Sequence, residues 1–315
     1  MFVRPLFRFV PDGTKIRFMK GRFAGLIVSF ILSTASIALF FHPGLNLGLD
    51  FRGGVVLQIQ TPQKADFSAL RAALAKAGLA DAGLQSFGGG AGTGVLISLE
   101  SRQNAEQTQT AISEVETALH EAAPGAKILS TQAIGASVSQ QLFSQGLEAL
   151  GLSFVMILAY IWFRFEWQFA VGAVATLLLD TTKTIGFMVI TRIPFDLVTI
   201  AANLTVIGYS TNDKVVVYDR MRENLRKYKT MPLRELIDQS INETLNRTLG
   251  TSGTVFLAAL PLALFGGSAL SGFAWIMLLG IVVGTSSSIF IAAPILLFLG
   301  EHRLRRGTAP VKVKK

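Results

Sequence analysis

Six long apolar stretches constrain the folding of this 315-residue chain more than any other feature. A helix needs about 20 residues to cross the hydrocarbon layer of a bilayer, and each stretch is long enough or nearly so. Half of the residues are hydrophobic and only 16% are charged, which is too apolar for a soluble domain of this length. The sequence therefore predicts a polytopic α-helical membrane protein with six transmembrane helices. They are predicted at residues 23–41, 147–163, 169–190, 195–218, 249–265 and 273–299.

The distribution of lysine and arginine predicts the orientation of these helices. Basic residues cluster before the first stretch, between the fourth and the fifth, and after the sixth, whereas Arg192 stands alone in the short loops on the other side. Cytoplasmic loops of membrane proteins carry such an excess of basic residues, so both termini are expected in the cytoplasm. The net charge of +9 comes mainly from these flanks, which favours membrane topology over nucleic-acid binding. The chain has no cysteine, which excludes disulfides and thiolate metal sites.

Between the first two apolar stretches lies a water-soluble insert, predicted to be a periplasmic α+β domain. Its hydrophobic periodicity gives the order βαββαβ, the pattern of a ferredoxin-like domain. Asp66 is predicted to cap the first helix of the insert. The strands are expected at 55–60, 84–87, 95–100 and 126–132, and the helices at 67–77 and 105–122.

These observations divide the chain into five parts. They are a cytoplasmic N-terminus at 1–22, the first transmembrane helix at 23–41, the periplasmic domain at 42–137, transmembrane helices 2 to 6 at 138–300 with a basic amphipathic cytoplasmic loop at 219–247, and a basic cytoplasmic tail at 301–315.

The fourth apolar stretch contains the charged residues Asp213 and Lys214. A charged side chain at the centre of a membrane-spanning helix costs about 2.5 to 3.5 kcal/mol on insertion scales, so such residues usually serve an ion path or a buried pair. At 100° per residue, Asn203, Ser210 and Lys214 lie on one arc of the helix, next to the stripe that carries Asp213. This side of the helix is expected to face protein rather than lipid.

Other polar residues occur in the third, fifth and sixth stretches. Asp180 and Lys183 are three residues apart, so they could form a self-neutralising pair or take part in a proton relay. Arg247 begins the fifth stretch, with Thr251 on the same helix face. In the sixth stretch, Gly280 and Gly284 have GxxxG spacing, which favours close helix packing.

Six motifs lie in order along nearly the whole chain. They are GLDFRGG at 48–54, FEWQFAVG at 165–172, IGYSTND at 207–213, DRMREN at 219–224, TLNRT at 244–248 and GTSSS at 284–288. With the predicted topology between them, these motifs resemble the SecF branch of the SecD/SecF family of bacterial protein-export membrane proteins, in the resistance-nodulation-division superfamily.

The resemblance implies a function and a set of partners. SecF pairs with its larger homologue SecD, and together they use the proton-motive force to assist late steps of protein translocation through the SecYEG channel. YajC and YidC are implied as further partners in some bacteria, besides the translocating polypeptide. The implied location is the bacterial inner membrane. No covalent chemistry, metal or cofactor is implied, so the chain is not expected to be an enzyme, and protons are the expected coupling ion.

The resemblance also implies which residues carry protons. Asp213 and Arg247 are the relay pair that it implies. As polar residues of the apolar stretches, Tyr209, Asn212, Asp180 and Thr251 are expected to support this pair. Three positions depart from the family pattern, namely Leu179, Lys183 and Lys214.

Two interpretations of Lys214 are open. Its ammonium could extend to the cytoplasmic headgroups, as long basic side chains near helix ends do, which is our expectation. Alternatively it could lean towards Asp213 and compete with Arg247 for that carboxylate.

Two further hypotheses about function remain open. The chain could be a passive scaffold that holds SecD and the channel together, with Asp213 and Arg247 as a static pair. It could also be a small-solute or lipid exporter subunit of the same superfamily, although the insert shows no apolar pocket pattern. A response of export to pH or to an uncoupler would separate proton coupling from a scaffold.

Overall fold

The computed structural model describes residues 11, 14–87, 94–100 and 105–299, and the basic tail predicted at 301–315 lies outside them. A short 3₁₀ turn at Phe18–Gly21 leads into the first long helix, and a π-helical segment at Ser288–Ala292 interrupts the last one. The elements follow in this order: α1 (Arg22–Phe41), α2 (Leu49–Arg52), β1 (Gly54–Gln60), α3 (Phe67–Lys76), β2 (Gly83–Phe87), β3 (Gly94–Leu99), α4 (Ala105–Ala122), β4 (Lys127–Ile134), α5 (Ala136–Arg164), α6 (Trp167–Thr191), α7 (Leu197–Lys227), α8 (Leu233–Phe265), α9 (Gly267–Ser287) and α10 (Ala293–Phe298).

Five helical stretches in the described part of the chain are long and apolar enough to cross a membrane. They are Phe18–Phe41, Ala136–Arg164, Trp167–Thr191, Leu233–Phe265 and Leu270–Phe298. The remaining long helix, α7, has 31 residues and is therefore about 46 Å long. It falls outside this set because Asp213, Lys214 and its charged C-terminal turns lower its hydropathy.

The insert forms a four-stranded antiparallel sheet with the strand order β2-β3-β1-β4. Along β1, Val55, Leu57 and Ile59 are fully buried and alternate with more exposed residues, because successive side chains of a strand point to opposite faces. The leucine and valine stripes of α3 and α4 pack with these strand residues into one core. Asp66 caps α3 as predicted, since its carboxylate accepts hydrogen bonds from the backbone of Ser68 (2.9 Å) and Ala69 (3.2 Å).

The segment 219–247 differs from the prediction that it lies as a separate amphipathic loop along the cytoplasmic face. Helix α7 continues to Lys227 and α8 starts at Leu233, so only a short connection separates two long helices. The apolar residues of the segment are buried in the main hydrophobic core of the bundle. The side-chain amide of Asn224 donates to the Ser240 hydroxyl at 3.0 Å and joins the two helices. The apolar stripe is therefore covered by a neighbouring helix rather than by lipid.

Helices α1 and α6 touch at Gly186. A Cβ atom at this position would lie 2.9 Å from the Cα of Ser36, so any larger residue must displace the backbone of α1. We expect Gly186→Ala to lower the free energy of unfolding by about 1 to 3 kcal/mol, as overpacking does. The measurement is the thermal unfolding midpoint of the purified protein in detergent.

Gly151 provides the matched control, because a Cβ there would meet no atom within 4 Å. Gly151→Ala should stabilise α5 by roughly 0.5 to 1 kcal/mol through helix propensity alone. Equal shifts for the two variants would contradict the close contact at Gly186.

Candidate functional site

Helices α6, α7 and α9 meet at a buried cluster of polar side chains. The glycines at GxxxG spacing make this approach possible, since a Cβ at Gly284 of α9 would lie 3.0 Å from the Cβ of Ser210 on α7. A Cβ at Gly280 would lie 2.9 Å from the Cβ of Val206 and closer still to its methyl groups. The packing predicted for these glycines is confirmed, and it brings Ser287, three residues further along α9, within reach of α6.

Asp180 of α6 is the centre of this cluster, with 2% of the residue exposed. Its Oδ2 atom accepts hydrogen bonds from the hydroxyls of Ser287 (2.6 Å) and Ser210 (2.9 Å) and from the Lys214 ammonium (3.0 Å). Its Oδ1 atom accepts one from the Lys183 ammonium at 3.3 Å. A carboxylate offers about four acceptor positions. Here four donors from three helices occupy them.

The i,i+3 pair predicted between Asp180 and Lys183 is present, but Asp180 shares its charge with Lys214. The expectation that Lys214 extends to the headgroups is wrong, because the residue is only 1% exposed. Its ammonium also donates to the backbone oxygen of Ser210 at 3.4 Å and to the Ser210 hydroxyl. Ser210 and Lys214 are four residues apart on the same side of α7, and that side faces Asp180.

Asp213 occupies the adjoining side of α7 and is 7% exposed. The hydroxyls of Thr248 and Ser288 and the charge of Lys214 lie close enough to act on its carboxylate. Its Oδ2 atom nevertheless has no hydrogen-bond partner within the described residues, and neither has the Thr248 hydroxyl. Buried polar atoms are nearly always hydrogen-bonded, so this carboxylate is poised to accept a proton or a new partner.

Arg247 does not touch Asp213 in the described structure: the side chain that α8 presents to Asp213 belongs to Thr248. Thr248 is 2% exposed, whereas Arg247, one residue and about 100° earlier on the helix, is exposed. The expected direct attraction between Asp213 and Arg247 is therefore absent as an ion pair, because α8 turns its arginine outward.

The other predicted residues lie on this outer side. The Tyr209 hydroxyl donates to the backbone oxygen of Thr251 at 3.0 Å and links α7 to α8 next to Arg247. Asn212 is exposed on α7, as Thr251 is on α8. The predicted site residues thus form two groups, one around Asp180 inside the bundle and one on its surface, with Asp213 between them.

Sequence reasoning missed Ser210 and Ser287 as partners of Asp180. A signal was available for the first, because Ser210 shares an arc of α7 with Lys214. The serines after Gly284 gave a weaker signal, since small residues in a membrane helix usually serve packing alone.

The long apolar helices, the α/β insert after the first of them and the buried ionisable residues define a polytopic membrane protein with a charged core. The profile of the family described as protein export membrane protein SecD/SecF, C-terminal, matches residues 114–302. The SecD/SecF GG motif matches residues 38–64. The chain belongs to the SecD/SecF family of protein-export membrane proteins.

Several relatives match almost the entire chain. Protein translocase subunit SecF of Cereibacter sphaeroides is 42% identical over 298 residues, which is 93% of this chain and 92% of the relative. The SecF subunits of Rhodobacter capsulatus and Rickettsia akari are 40% and 39% identical and are covered over 94% and 97% of their lengths. The resemblance that the motifs indicate is therefore confirmed.

Solved structures of SecDF have the same fold. The crystal structure of SecDF from Thermus thermophilus, described as a translocon-associated membrane protein, is 29% identical with a TM-score of 0.84 over 94% of this chain. SecDF in a super-membrane-facing form matches 98% of the chain with a TM-score of 0.65. This chain spans 40% and 42% of the lengths of those two SecDF chains.

Proposed function

We propose that this chain pairs with a SecD-type subunit and uses the proton-motive force to assist late steps of protein translocation through the Sec channel. The observation that carries the proposal is the Asp213 carboxylate, buried in a helix of the bundle with one oxygen unpartnered among the described residues. A carboxylate in this setting can bind and release a proton without breaking other contacts. The chain performs no covalent chemistry in this proposal and needs no cofactor other than protons.

The proposal includes an arrangement in the bacterial inner membrane. Helix α7 is the sixth membrane span, so both termini lie in the cytoplasm. The insert lies in the periplasm as a ferredoxin-like domain, supported by its βαββαβ order and its strand order. SecYEG, and in some bacteria YajC and YidC, are proposed as further partners on the ground of family membership.

A partner that covers the outer side of α7 and α8 fits the exposed polar residues there. Arg247, Thr251 and Asn212 are exposed on neighbouring helices, and an arginine that faces lipid inside the membrane is costly. A second subunit on this side would cover these residues and could contribute its own groups to a proton path that ends at Asp213.

Proton binding at Asp213 would then drive the movement. The neutral acid loses its attraction for Lys214 and for any cation brought close to it, so the packing of α7 against α8 and α9 can change. One proton crossing 100 mV contributes about 2.3 kcal/mol, which biases a two-state movement of the insert substantially.

The experiment that tests the proposal measures export into membrane vesicles that contain the chain with its SecD-type partner and the Sec channel. The increase in export over vesicles without the chain should vanish when an uncoupler removes the proton gradient. An increase that persists without a gradient would favour the passive scaffold. In that case the cluster around Asp180 would serve to hold the three helices together.

A further inference from the structure

A basic cleft of about 520 Å³ lies at one end of the bundle, outside the cluster of buried charges. It forms where the turn from α5 to α6 meets the C-terminal turns of α7. Its lining residues are Arg164, Asp219, Arg222, Glu223, Arg226 and Lys227.

Both carboxylates of the cleft already have cationic partners. Asp219 pairs with Arg164 at 2.6 Å, and Glu223 pairs with Arg220 from outside the cleft, also at 2.6 Å. Arg222, Arg226 and Lys227 have no carboxylate partner in the described part of the chain. The cleft therefore presents a surplus of positive charge that nothing in these residues neutralises.

Several of these cations are held in place. The Arg164 guanidinium lies 5.1 Å from the centre of the Phe165 ring while it binds Asp219, and the Lys227 ammonium lies 5.1 Å from the Tyr228 ring. The Nε atom of Arg222 is buried with no hydrogen-bond acceptor among the described residues. Guanidinium groups match the oxygens of a phosphate particularly well, so an anion with phosphate chemistry suits the unpaired cations of this cleft.

The surroundings of the cleft place it at the membrane surface. Trp162, Phe163 and Trp167 flank Arg164 at the turn between α5 and α6 and are 64%, 90% and 42% exposed. Aromatic residues of this kind line the headgroup region of membrane proteins. Basic pockets between helices on the cytoplasmic side bind anionic headgroups.

We propose that this cleft binds the phosphodiester headgroup of an anionic phospholipid in the adjacent leaflet. The lipid phosphate accepts from Arg222 and from the other unpaired cations, and its acyl chains lie along the exposed aromatic residues. The site is independent of Asp213 and of proton coupling.

Native mass spectrometry of the full chain in detergent, titrated with phosphatidylglycerol or with phosphatidylcholine of the same acyl chains, tests the proposal. The double variant Arg222→Gln/Arg226→Gln should bind phosphatidylglycerol roughly tenfold to thirtyfold more weakly, because each cation near a membrane surface contributes about a factor of five. The control Lys20→Gln/Arg234→Gln removes two exposed cations outside the cleft. It should change binding less than about threefold, because solvent and salt screen charges that do not contact the headgroup. Binding of phosphatidylcholine should be weaker and equal in all variants.

Four outcomes would overturn the proposal. Equal losses in the two double variants would mean that the attraction is diffuse, and equal binding of the two lipids would mean that charge is not recognised. Competition by millimolar inorganic phosphate as strong as that by lipid would assign the cleft to soluble anions. Loss of a copurifying protein partner with unchanged lipid affinity would assign it to a protein interface. If the double variant does not fold, the single variant Arg226→Gln takes its place in the same titration, because Arg226 is exposed.

Discussion

Asp213→Asn should abolish proton-driven stimulation of export and leave the chain folded and associated with its partner. Asparagine has nearly the volume of aspartate but cannot ionise. Asp213 has no ion pair within the described residues and one oxygen without a hydrogen-bond partner, so little packing or bonding is lost, and the Thr248 hydroxyl can still reach the amide. The measurements are proton flux and export in vesicles, together with copurification of the partner.

Asp219→Asn is the matched control for Asp213→Asn. Asp219 lies on the same helix, but its side chain is 41% exposed and pairs with Arg164 at the surface. Surface pairs contribute little, so this variant should retain proton flux and export close to those of the original chain. Normal stimulation by the Asp213→Asn variant would remove Asp213 from the relay.

The insert was the most predictable part of the fold. Its elements follow from local patterns, such as the alternation of Val55, Leu57 and Ile59 in β1 and the cap that Asp66 supplies to α3. These patterns depend on residues two to four positions apart, which the sequence displays directly. Helix α4 was predicted with its observed bounds for the same reason.

Whether lipid or another helix covers an apolar stripe was not predictable from the sequence in the same way. The stripe in 219–247 is consistent with a helix that lies on lipid and with one that packs on another helix. The choice depends on how α7 and α8 are placed, because Asn224 meets Ser240 only when the two helices run side by side. Local sequence patterns do not determine how these two helices are placed.

The ionisable residues of the candidate site were predictable, but apart from the pair of Asp180 and Lys183 their contacts were not. A helix of 3.6 residues per turn shows that Lys214 lies beside Ser210 and off the Asp213 stripe, yet it does not show that Asp180, 34 residues earlier, faces them. The separation of Arg247 from Asp213 likewise depends on the rotation of α8, which points Thr248 inward instead. Sequence identifies the ionisable residues in the bundle, while the rotations of the helices decide which of them meet.

Asp180→Asn should cause a large loss of stability. Asp180 is the carboxylate that serves both Lys183 and Lys214, which are 9% and 1% exposed. Its neutralisation leaves the Lys183 ammonium without a counter-charge and leaves Lys214 with Asp213 alone, with which it forms no ion pair among the described residues. Loss of one partner of a buried ion pair costs about 3 to 5 kcal/mol. The measurement is the unfolding midpoint of the purified chain in detergent.

The triple variant Asp180→Asn/Lys183→Met/Lys214→Met separates charge from packing as the cause of this loss. It removes all three charges and keeps side chains of similar length, and replacement of a buried ion pair by apolar residues is often neutral. The triple variant should therefore be more stable than Asp180→Asn alone, a non-additivity expected of groups that act together.

Asp219→Asn, which breaks a surface pair, should cost less than about 1 kcal/mol. If Asp180→Asn is no more harmful than Asp219→Asn, the two lysines must reach water or release their protons, and the cluster is not held by its ion pairs. A stable Asp180→Asn variant that has lost proton flux would instead place Asp180 in the relay with Asp213.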